Sequence, residues 1–123
     1  MVKTNMLSFD LGSRSFPIET LEPTAQQYFD QGIKWCFGFN QEEGLACFKV
    51  ALKKDPNCAM LHWGIAYAAG PFYNMPWIDF SKPEAIGCTE FCRSYLDKAI
   101  MLSDAATPLE KALIDALSLR VQK

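Results

Sequence analysis

The sequence predicts an all-α chain of about five helices, stacked as antiparallel pairs. Three features point there. Apolar residues recur three and four positions apart, so they line one stripe of a helix. Each such stretch opens on a residue suited to cap a helix and closes on Gly, Pro or a polar turn. No stretch alternates as a half-buried strand would, and no convincing strand is found. With 123 residues, 50% of them hydrophobic and 13% aromatic, the chain is long and apolar enough to bury a core.

The first helix is expected after Thr24, with Gln27 at the capping-box offset, and runs to about Phe37. Residues 1–22, containing Gly12 and Pro17, are expected to be extended, with Phe16 and Ile18 packing on that helix. Gly38 to Asn40 form a turn, and Asn40 caps the second helix with Glu43 at the matching offset. Pro56 follows the end of the second helix, since it cannot donate the next backbone bond. Asn57 is expected to cap the third helix, which ends at Gly70. Ser81 with Glu84 opens the fourth, which reaches about Leu102. Thr107, Pro108 and Glu110 open the fifth, which runs to about Val121.

Within the first two helices the spacing is more specific. Tyr28, Gln31, Gly32 and Trp35 are followed by Gly44, Phe48, Ala51 and Pro56. Gly32 and Gly44 let two helix backbones approach, and Tyr28, Trp35 and Phe48 fill the space around them. This resembles a tetratricopeptide repeat, with Gln31 where that pattern has Leu. The order of segments from DLGSRSFPIET to TPLEKALIDAL resembles the N-terminal region of longer tetratricopeptide proteins and covers nearly the whole chain. The resemblance implies a helical domain over residues 23–123: repeat one at 25–58, repeat two at 59–106 and a partial third repeat at 107–123. It implies a short superhelix, a protein-interaction scaffold and a chain that continues with further repeats. It brings no chemistry beyond binding.

In repeat two, Ala66 matches Gly32, and Cys92, Leu96 and Ala99 match Gly44, Phe48 and Ala51. Asp104 takes the place of Pro56, and the interval exceeds the usual repeat of about 34 residues by roughly a dozen. The excess falls in an aromatic insert at 70–80 carrying Phe72, Tyr73, Trp77 and Phe80. Such an insert either holds a peptide or small apolar ligand or plugs a gap between the third and fourth helices, and the plug is the favoured reading. On the fifth helix Leu109, Leu113 and Leu117 are expected to face the fourth, leaving Ile114 and Val121 without a partner. Self-association through residues 109–121 is the expected consequence.

A net charge of −2, mixed along the chain, carries no basic footprint for nucleic acid. The uncharged stretch 57–78 is broken by Pro71, Pro76, Gly70, Asn74 and His62, against a membrane span. Five cysteines without a framework spacing, and no secretory signal, point to the cytoplasm.

No catalytic residue, cofactor or metal is expected. His62, the only histidine, has no nominated nucleophile or carboxylate partner and reads as a packed residue. Cys88 and Cys92 share a helix face but lack the further ligands zinc takes, and read as packing. No phosphate-binding glycine loop or hydrolase motif occurs. Glu42 and Glu43 sit in a helix's first turn, where negative charge favours the dipole. The expected binding face is the inner, concave one, formed by Gln26, Phe29 and Ile33 of the first helix and Met60, Trp63 and Tyr67 of the third. Its occupant is an unidentified protein or peptide, or the further repeats. Two other functions stay open: the non-catalytic head of a longer enzyme, and a small-ligand or metal binder using the insert or the cysteines.

Overall fold

Proline and short polar side chains set the helix starts. The computed structural model describes residues 15–71 and 77–121, with Trp77 described in its backbone only. Helix α1 spans Pro23–Phe37, α2 Gln41–Lys54, α3 Ala59–Ala69, α4 Lys82–Met101 and α5 Pro108–Arg120. Single 3-10 turns at Trp77–Asp79 and Ser103–Ala105 complete the regular structure, and no strand occurs among the described residues. None of the described helices is long and apolar enough to cross a membrane.

Ser81 and Thr107 each form a complete capping box, with Glu84 and Glu110 returning to the capping residue's own N–H. Asn40 accepts from the Glu43 N–H at 3.2 Å. Two expected caps are displaced. Helix α1 opens on Glu22 with Pro23 in its first position, so Thr24 lies inside the first turn. Helix α3 opens on Cys58 rather than Asn57, without a side-chain cap.

Successive helices pack as antiparallel neighbours: α1 on α2, α2 on α3, α3 on α4 and α4 on α5, with α1 and α5 also touching α3. Helix α3 is therefore surrounded. That is why it is apolar all round, with every residue from Ala59 to Ala66 buried. The α1–α2 crossing is tight. A Cβ added at Gly32 would stand 2.5 Å from Phe48 Cε1, and one at Gly44 would stand 2.5 Å from Cys36 Sγ. The Phe48 ring also lies against Gly64, whose added Cβ would stand 2.8 Å from Cδ1. Phe48 is thus a wedge between two glycines on α1 and α3, fully buried with Ala66 beside it in the core. In the second pair Cys92, Leu96 and Ala99 are buried on α4, three and four positions apart on one stripe.

Helix α5 is turned from its expected setting. Glu110, Ile114, Leu117 and Val121 face inward, and Leu109 is exposed. The cause is that α5 packs on α3 as well as α4. The Trp63 indole N–H donates to the Leu113 carbonyl at 3.1 Å, and Arg93 of α4 donates to the Val121 carbonyl at 3.3 Å.

Candidate functional site: a groove across α1, α3 and α5

An antiparallel succession makes α1, α3 and α5 run the same way, and their amino-terminal ends share one surface. Residues 15–18 cross that surface without regular structure, and a bend at Glu19, closed by the Thr20 N–H on the Ile18 carbonyl at 2.9 Å, turns the strap toward α1. Phe16 rests on Phe29, ring centroids 6.0 Å apart, and Ile18 is buried. This is the packing expected from the sequence.

Side chains hold the main chain of this strap. The Phe16 N–H donates to Asp30 Oδ1 at 2.8 Å. The Gln26 carboxamide donates from Nε2 to the Phe16 carbonyl at 2.8 Å, and its Oε1 accepts from the Ile18 N–H at 2.9 Å. Gln26 Nε2 also meets Asp30 Oδ1 at 3.0 Å, which fixes the carboxamide's orientation. One step on, the Glu19 N–H donates to Glu110 Oε2 at 2.8 Å, and the Cys58 thiol donates to the Glu19 carbonyl at 3.3 Å. Thr20 Oγ1 donates to Asp55 Oδ2 at 2.6 Å. Glu110 thus serves two ends: Oε1 closes the capping box of α5 and Oε2 holds the strap. Its buried carboxylate is explained by those two N–H donors.

The inner face expected to be open is closed over most of its length. Phe29, Met60 and Trp63 are buried within the chain, and Gln26 is committed to the strap. Strap and α5 cover what the first and third helices would otherwise expose. Trp63 stacks on Tyr67 at 5.0 Å, the planes 7° apart. Gln26, Ile33 and Tyr67 of the six remain half-buried. Of the insert, Phe72 and Tyr73 lie outside the described residues, as does the Trp77 side chain; Phe80 is half-buried.

At the opposite end of α1 the surface opens into a cleft of about 370 Å³, lined by Cys36, Phe37, Phe39, Gln41, Tyr67, Pro71 and Arg120. Arg120 donates to the Pro71 carbonyl at 2.9 Å, so one wall is fixed. Phe39 takes a φ of 64°, the left-handed region that bulky side chains avoid. Its N–H reaches the Cys36 carbonyl and the Asn40 N–H reaches that of Trp35, closing α1 in the pattern that favours glycine at this position. The Phe39 and Phe37 rings are 60% and 69% exposed beside the cleft. Sequence reasoning placed a turn here but missed the aromatic wall. The signal was the unusual FGFN run, two aromatics in a turn that needs none.

His62 is buried, its Nε2 2.8 Å from the Pro56 carbonyl and its ring 6.0 Å from Tyr95. Burial and then the nearby Lys98 ammonium hold its pKa below the usual value, against the opposing Pro56 carbonyl. None of the five cysteines is joined in a disulfide. Burial pushes the Cys36 and Cys92 thiols up to about 12 and Cys58 up to about 11. Cys88 and Cys92 stand 3.9 Å apart at sulfur and donate to the Ala69 and Ala66 carbonyls. Among the described residues no group of three or more His, Cys, Asp or Glu side chains is placed to hold a metal ion.

No family model, curated protein or solved structure matches this chain.

Proposed function

We propose that this chain is a protein-interaction module of tetratricopeptide type, which holds an extended segment of a partner on the face shared by α1, α3 and α5. The observation that carries the reading is the strap: Gln26, Asp30, Glu110 and Cys58 bind main-chain amides and carbonyls of an extended segment. Side chains that read backbone rather than side chain suit a surface built for extended peptide. The tight Gly32–Phe48 crossing and its Ala66 counterpart support the repeat assignment. The aromatic cleft at Phe37 and Phe39 supplies a second contact region on the same face. In this reading the chain contributes no catalytic residue. Five cysteines, none joined in a disulfide, favour a reducing compartment, the cytoplasm.

The test is selection of peptides from a random display library on the full chain, followed by amide-shift mapping. Selected peptides should shift Phe37, Phe39, Tyr67 or Gln26. Failure to enrich any peptide, or shifts confined to the far faces of α2 and α4, would sink the proposal.

A further inference from the structure

The strap is bound in the way a ligand is bound. Within the strap the Thr20 N–H donates to the Ile18 carbonyl at 2.9 Å, and the side chains of Gln26, Asp30, Glu110 and Cys58 hold the rest of the main chain from Phe16 to Glu19. The Gln26 carboxamide spans Phe16 and Ile18, two residues apart, which is the repeat of an extended chain. The side chains divide by face. Phe16 lies against Phe29 and Ile18 is buried, whereas Pro17 and Glu19 point to solvent. Pro17 needs no N–H here, and its fixed φ pre-sets the extended form, lowering the entropy lost on docking.

From this we infer that residues 15–20 occupy the groove in cis as an intrasteric ligand. A partner segment of the same chemistry, an extended aromatic–Pro–aliphatic sequence, displaces them. The inference rests on the module reading above and names what that module takes. Selectivity sits at the first position, half-buried against Phe29, and at the buried third, and is loose at the exposed second and fourth. Residues 21–22 alone connect the strap to α1, so docking is intramolecular. Its effective concentration is on the order of millimolar, and a free segment of equal quality competes poorly against it. A partner that also fills the Phe37–Phe39 cleft gains a second contact that the strap lacks. The strap therefore sets a threshold that rejects single-site competitors.

Two measurements on the full chain test this. The first is amide hydrogen exchange of the unmodified protein. The Phe16, Ile18 and Glu19 amides should exchange about tenfold or more faster than those of Leu61 and Ile65, because the strap opens without global unfolding. Exchange at the rate of α3 would make the strap part of the core and overturn the inference. The second is binding of a labelled peptide, Ser15 to Leu21 in sequence, to the chain carrying Phe16→Ala and Ile18→Ala. Affinity should exceed that for the unmodified chain by about tenfold or more, and adding Gln26→Leu should abolish it. A variant that fails to fold leaves the exchange experiment decisive. If the strap opens and the folded variant ignores this peptide yet binds library peptides in the groove, the cis-ligand inference fails and the module reading survives. If the folded variant binds no extended peptide at all, both fail. A strap exchanged between two copies, seen as an obligate dimer by sedimentation, would also overturn occupancy in cis.

Discussion

Glycine 32 shows how one residue's absence of side chain sets a helix crossing. Gly32→Ala should destabilise by roughly 1–3 kcal/mol, because the new Cβ meets the Phe48 ring, itself backed by Gly64 and unable to retreat. Gly87→Ala is the control: nothing lies within 4 Å of the added Cβ in mid-α4, and a gain of about 0.5–1 kcal/mol is expected. Urea unfolding of both variants separates the two, and a stable Gly32→Ala would count against the tight crossing. Phe39 sits opposite in logic. Phe39→Gly relieves a left-handed backbone worth about 1–2 kcal/mol, partly offset by the freer unfolded chain, so the melting midpoint should rise. The same change removes a wall of the cleft and should weaken peptides anchored there. A lower midpoint would show that the ring's packing outweighs the strain. His62 gives a pH signature. Its folded pKa lies below the unfolded value of about 6.5, so the unfolded chain takes up the proton first, and stability falls as pH drops through that value. In His62→Phe the loss of midpoint between pH 7.5 and 5.5 should be smaller than in the parent. Gly32 and Phe48 were legible because their spacing puts a small residue on one helix stripe and a large one on the next. Gly64 and Phe39 were not, because both depend on where a third helix or a cleft happens to lie.

At the scale of the element, legibility followed locality. Ser81 and Thr107 cap their helices with residues three positions on, and nothing outside the helix enters. Thr24 offered a similar local pattern and lost to Pro23, whose ring favours the first helical position, while nearby Gln26 is drawn to the strap. Asn57 lost to Cys58, whose thiol meets the Glu19 carbonyl. Ser81→Ala should therefore cost about 1 kcal/mol in thermal or urea melts, whereas Thr24→Ala should move the midpoint little. Equal losses would restore Thr24 as a cap. The burial of part of the expected inner face was not legible for a related reason. Phe29, Met60 and Trp63 were chosen as apolar residues off the packing stripe, but periodicity on one helix carries no record of a strap or a fifth helix lying over it. The groove's polar readers, Asp30 and Glu110, were missed because an acidic residue in a helix is ordinarily solvated, and only tertiary structure brings a strap N–H to each.

Across the whole molecule, α3 is enclosed by the other elements, and large apolar side chains remain exposed at Phe37 and Phe39, along α4 and, as Leu109 and Leu119, on α5. Its inward stripe of Ile114, Leu117 and Val121 is satisfied by α3 and α4, the reverse of what the sequence suggested for Ile114 and Val121. A second stripe is left on the outside. Leu109, Ala112, Ala116 and Leu119 are all exposed and recur three and four positions apart, so they lie on one face. Leu109 is 61% and Leu119 72% exposed, with two alanines between them that let another helix approach closely. A stripe of this kind favours helix-on-helix pairing between copies. The mass measured by sedimentation velocity should therefore rise with protein concentration. Leu109→Glu combined with Leu119→Lys should return the chain to monomer without lowering its melting midpoint, since neither side chain belongs to the core. A parent chain that stays monomeric at high concentration would remove the stripe as an association surface, and a midpoint lowered by the double change would mean that Leu109 or Leu119 packs within the chain.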